Sequence, residues 1–172
     1  MPDNHRLPDV VTGCLEACRR CEAVVAAVLS QDSAVFPAVG PQLRHCVDHF
    51  SLLLGGWRTG SVNYDERPRD PRLEQDPGAM GRALGEIAGS LAALTYGDLS
   101  SPLIVAQSAA PGRPPVSSPS RLDRELAFLS GHAIHHIAIM VLIARAEGVA
   151  IPAQLGVAFS TESEHEPYAM NL

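Results

Sequence analysis

Absences narrow this chain first. It has no basic run, and 13 cationic side chains face 19 acidic ones, a net charge of −6. That balance, with a pI near 5.6, disfavours a nucleic-acid protein, which needs cations to meet phosphates. No stretch of about eighteen apolar residues offers itself as a bilayer span, so no membrane is expected. The polar start Met1-Pro2-Asp3-Asn4-His5 has no signal-peptide pattern. The expectation is a cytoplasmic protein whose four cysteines stay reduced. There is no internal repeat. Ser117, Ser118 and Ser130 have no histidine–acid partners at a recognisable spacing, which removes a serine hydrolase.

What is present is an ordinary globular composition, 46% hydrophobic and 19% charged. At 172 residues the chain reads as one domain over 1–172, a core of about 8–150 with a polar tail from 151 to 172. Four segments carry helical periodicity: about Val10–Leu29, Val39–Trp57, Pro77–Thr95, and a last one from Ser120 to Gly148. The first places Cys14, Cys18, Cys21, Val25 and Val28 on one line; the third does the same with Met80, Leu84, Ile87, Leu91 and Leu94. In the last, Leu126, Leu129, Ala133, Ile137, Met140 and Ile143 or neighbours are expected in the core. Ser120 suits an N-cap with Asp123 three residues on, and Gly148 a C-terminal stop. Leu103–Ala106 suits a short strand, and the proline-rich 111–119 a long crossover or loop. The fold class predicted is all-α, a four-helix bundle with a long connection before the last helix.

Chemistry concentrates in two histidine clusters. On the last helix, His132 and His136 stand one turn apart on one face, and an i,i+4 imidazole pair chelates one ion. His135 lies about 100° away round the helix and cannot join both. On the second helix, His45 and His49 have the same spacing. Either supplies a third ligand, or both do; three protein ligands leave an open catalytic position, four close the site. Cys18 and Cys21 form a CxxC, but with no second pair and on an apolar stripe they read as core. Cys46 points away from the histidines. The charged run Tyr64–Glu74 reads either as a solvated loop or as a clamp in which Arg67 or Arg69 holds a carboxylate or phosphate. Arg124-Glu125, two turns before His132, suits a group that orients a neighbour.

The runs Leu43-Arg44-His45-Cys46-Val47-Asp48-His49-Phe50 and His132-Ala133-Ile134-His135-His136 resemble the DinB/YfiT-like superfamily, as does the closing Leu142-Ile143-Ala144-Arg145-Ala146-Glu147-Gly148. The resemblance implies a four-helix bundle holding a divalent metal through one histidine of the second helix and an H-x3-H on the last. It assigns the ligands to His45, His132 and His136, with Asp48 as the short polar residue one turn after His45. Characterised relatives include mycothiol- or bacillithiol-dependent S-transferases, a mycothiol-dependent maleylpyruvate isomerase, and iron sulfoxide synthases whose extra catalytic domain this chain lacks. The function expected is therefore a metal-dependent enzyme of thiol S-transferase or hydrolase type, acting on a small molecule. Its cofactor is a divalent ion (Zn, Ni or Fe), its general base His49, its substrate anchor Arg67. A low-molecular-weight thiol is the expected co-substrate and a homodimer a possible assembly. The rival expectation is a non-catalytic metal-binding or stress-related bundle that binds a ligand or partner.

Overall fold

A computed structural model describes residues 7–165, with side chains to residue 162. The polar start Met1–His5 and the end of the tail, 166–172, lie outside the described residues. The architecture is mostly helical: α1 (Asp9–Gln31), α2 (Phe36–Gly56), a one-turn α3 (Arg72–Gln75), α4 (Pro77–Ala92), α5 (Leu122–Ala146) and α6 (Phe159–His165). Three strands join them, β1 (Ser61–Asn63), β2 (Pro102–Gln107) and β3 (Val116–Arg121).

The helical stripes close on one another as their periodicity demands. Cys14, Cys18, Cys21, Val25 and Val28 of α1 are buried, and so are Met80, Leu84, Ile87, Leu91 and Leu94 of α4 and the turn after it. On α5, Leu126, Leu129, Ala133, Ile137 and Met140 are buried; Val141 and Ala144 complete the stripe, while Ile143 only flanks it. Helix α5 is, by length and composition, apolar enough to cross a membrane, which corrects the expectation that no such stretch exists. Core helices meet the same test, and the buried face of α5 packs on α1 and α2.

Capping follows the local chemistry. Asp76 accepts from the N–H groups of Gly78 and Ala79 and starts α4. Gly148, at φ 85°, ends α5: its N–H bonds the Arg145 carbonyl and that of Val149 the Ala144 carbonyl, a Schellman closure. The expected Ser120 N-cap is corrected. Ser120 lies inside β3 and its hydroxyl donates to Glu125 at 2.6 Å; Arg121 is the residue before the helix, and Asp123 pairs with it.

A small sheet of order β1-β2-β3 covers one side. β1 runs parallel to β2 with Val62 opposite Val105, and β2 runs antiparallel to β3 with Leu103 opposite Ser120. Val62, Leu103 and Val105 turn inward. The expected crossover at 111–119 is thus half strand: residues from Val116 pair with β2.

The tail up to α6 is held more firmly than its polarity suggests. Buried Arg20 of α1 donates to the carbonyls of Gln154, Leu155 and Val157 and to both carboxylate oxygens of Glu162. Its guanidinium also lies over the Phe159 ring, 4.9 Å from the centroid. Replacing Arg20 with methionine is expected to cost roughly 2 kcal/mol, because half-buried acceptors lose a charged donor. Urea denaturation measures that cost, and limited proteolysis should cut first between residues 150 and 165; an unchanged cleavage pattern would refute the latch.

Candidate metal centre

Helices α2 and α5 meet with their histidines facing. His45, His132 and His136 each offer a ring nitrogen, and these three atoms lie within 4.8 Å of one another. All three side chains are half-buried. The expected trio comes together across two elements nearly ninety residues apart in sequence, whereas His135 is exposed and stays outside it, its ring 5.4 Å from that of His136.

Hydrogen bonds decide where each ring carries its proton. His136 Nδ1 lies 2.6 Å from Gln42 Oε1; a carbonyl oxygen only accepts, so Nδ1 donates and Nε2 keeps its lone pair. His49 Nδ1 lies 2.7 Å from the His45 carbonyl oxygen, which likewise leaves His49 Nε2 as a base. His45 Nε2 and His132 Nε2 stand 2.9 Å apart. Phe128, one turn before His132, stacks on its ring at 5.5 Å and 18°. Gln42 and Phe128 were not singled out from sequence, although each lies one turn from a ligand on the same helix.

Burial keeps these rings neutral. It lowers His45 from 6.5 to about 3, with the neighbouring histidines and Arg67 adding to the effect. His132 and His136 fall to about 4, again chiefly by burial. His49 is lowered by burial too, opposed by its bond to the His45 carbonyl. Neutral imidazole is the form that ligates a metal, so the donor set fits a divalent ion of the Zn, Ni or Fe type.

Two charged groups frame the trio. Arg67, on the loop after β1, places Nη1 3.0 Å from His45 Nδ1 and 3.4 Å from His49 Nε2. Arg69, the other candidate clamp, is exposed and points back to the carbonyls of Arg67 and Asp65, stapling the loop. On the other side, Glu125 is 1% exposed and accepts from Tyr64 (2.9 Å), Ser120 (2.6 Å) and Arg124 (2.8 Å). The Tyr64 ring lies 5.4 Å from that of His49, so Glu125 fixes the wall beside the candidate base. Beyond Phe128, a cavity of about 300 Å³ opens between the β2–β3 pair and α5, with Val105, Val116 and Phe128 as apolar walls and Gln107, Ser118 and Arg124 as polar ones.

The cysteines stand apart from this chemistry. All four are free and buried. Burial pushes Cys14 and Cys18 up to about 12, and Cys21 is raised by its hydrogen bond with Cys46 and by burial. Cys14, Cys18 and Cys21 are therefore held as thiols rather than thiolate nucleophiles at neutral pH. Compared with known proteins, the chain matches no family model, no curated protein and no solved structure.

Proposed function

We propose, from the chemistry of the site alone, that this chain is a divalent-metal-dependent enzyme acting on a small molecule through His45, His132 and His136. The single observation behind the proposal is the convergence of three imidazole nitrogens within 4.8 Å, with His136 oriented by Gln42 through its other nitrogen. Three protein ligands leave room for a substrate group on the ion. A bound divalent ion lowers the pKa of a water or thiol toward neutrality and supplies a nucleophile.

The chain's own residues do the rest. His49 presents Nε2 as a lone pair beside the trio and accepts a proton there. Tyr64, held by Glu125, walls that base from one side. The cavity past Phe128 takes the body of a small molecule. Because the four cysteines are buried in the core, sulfur chemistry requires a thiol that enters as a substrate. Thiol S-transfer, or hydrolysis by a bound water, is the reaction class. In this reading α1, α2, α4 and α5 form a four-helix bundle of DinB/YfiT-like type, with β2 and β3 inside its long connection.

The test is metal analysis of protein purified without an affinity tag, followed by thiol-transfer and hydrolysis assays. Turnover is expected with the metal-loaded protein. A His49→Gln variant should keep its metal yet lose roughly 10²–10⁴-fold in rate, the usual contribution of a general base. Bound metal without turnover on any thiol or hydrolysable probe would overturn catalysis and leave a metal-binding module.

A further inference from the structure

Arginine has five N–H donors and no acceptor. Both ring atoms that Arg67 Nη1 meets, His45 Nδ1 at 3.0 Å and His49 Nε2 at 3.4 Å, must therefore face it with lone pairs. For His49 this agrees with its other bond, since Nδ1–H already donates to the His45 carbonyl. For His45 it creates a conflict. A neutral ring that accepts at Nδ1 carries its proton on Nε2, the atom turned toward His132 Nε2 at 2.9 Å. A ligating nitrogen needs a lone pair. When His45 ligates through Nε2, its proton sits on Nδ1, opposite an Arg67 N–H. Two donors cannot share that contact, so the Arg67–His45 bond and ligation by His45 Nε2 exclude each other.

Among the described residues, no carboxylate takes Arg67 in exchange and its guanidinium has no ion pair: Asp48 is bonded by Arg44 at 2.9 Å and Asp65 by Ser108 at 2.6 Å. Arg67 Nε is buried and has no hydrogen-bond partner at all. Once released from His45, the guanidinium is a partly dehydrated cation beside the trio, with donors to spare. Its fork matches a carboxylate in two parallel bonds.

We infer that Arg67 is the substrate-carboxylate receptor of this site and that metal and carboxylate load together. The ion takes His45 from Arg67, and the freed Arg67 takes the anion, so each favours the other. The substrate class is a small carboxylic acid, or a thiol that carries a carboxylate. This rests on the metal reading above and names its substrate.

Co²⁺ and acetate are sufficient probes. Co²⁺ affinity is measured by its visible spectrum against a competing chelator, with and without acetate. In the native chain acetate is expected to tighten Co²⁺ about fivefold or more. Arg67→Met, which removes a cation and the competing donor, is expected to bind Co²⁺ about tenfold tighter than the native chain when acetate is absent, with no further gain from acetate. Arg67→Lys should retain part of the acetate effect, as a point charge without the fork. Thermal melts of both variants establish that they fold. If Arg67→Met binds Co²⁺ no tighter, or if acetate acts equally on both chains, the inference is overturned while the metal site stands. If the native chain binds Co²⁺ no better than His45→Ala, the metal reading itself has failed.

Discussion

Changing His132 to alanine is expected to lower metal affinity by at least about 100-fold, more than loss of a group that merely orients a ligand. Its Nε2 faces His45 Nε2 at 2.9 Å, and the Phe128 ring stacked at 5.5 Å leaves it little freedom to turn away. Losing it leaves two imidazoles, one of them contested by Arg67. The same substitution should alter the response to acid. His45 at about 3 and His132 and His136 at about 4 lie below the ordinary 6.5. Between those values the unfolded chain binds more protons than the folded one, so stability falls with acidification. It is complete above about pH 6.5 and is lost progressively toward pH 3–4. His132→Ala should therefore flatten the slope over that window while abolishing the ion's added stability. Equilibrium dialysis and denaturation at several pH values read both effects. Native metal retention by the variant would sink the assignment of His132.

The second large effect is expected from Gly40→Ala. A Cβ there would sit 2.3 Å from the Glu74 carbonyl oxygen and 2.8 Å from its Cα. Those are backbone atoms of α3, which has to move away bodily. Glu74 also bonds Arg44 at 2.5 Å, and Arg44 bonds buried Asp48 at 2.9 Å. The displacement therefore reaches the residues on either side of His45 and the loop that carries Arg67. Overpacking of this kind costs about 3 kcal/mol. Gly55, on the same helix with nothing within 4 Å of its added Cβ, is the control: alanine there should stabilise by about 0.5–1 kcal/mol. Urea midpoints of the two variants should move in opposite directions. A Gly40→Ala chain as stable as the native one would show that α3 is not seated on α2.

The long helices were legible because one face of each is buried, and burial writes a 3.6-residue period into the chain. Their ends were less so. Helix α2 starts at Phe36 rather than Val39 because Asp32 caps a tight turn that feeds directly into it. Strand β3 was missed for a physical reason: Val116-Ser117-Ser118-Pro119-Ser120-Arg121 has little strand propensity and is almost wholly exposed, so its pairing comes from the edge that β2 offers. β1, at three residues, is too short to show a period. Within the site, spacing paired His132 with His136 but left His45 and His49 equivalent. The structure separates them by position, which no spacing encodes: it is His45 whose ring nitrogen gathers with those of His132 and His136 within 4.8 Å. Glu125 gave no sign of its burial, because its partners Tyr64 and Ser120 come from other segments.

The four buried thiols also make the chain a clock of its own opening. Each lies in the core, free of any disulfide. An alkylating reagent then modifies a cysteine only during the moments when its segment separates from its neighbours. Cys14, Cys18 and Cys21 time the departure of α1. Cys46, next in sequence to His45, times the opening of α2. Should a bound ion slow labelling at Cys46 more than at Cys14, the centre would be a local staple; equal slowing would mean the helices open as one cooperative unit.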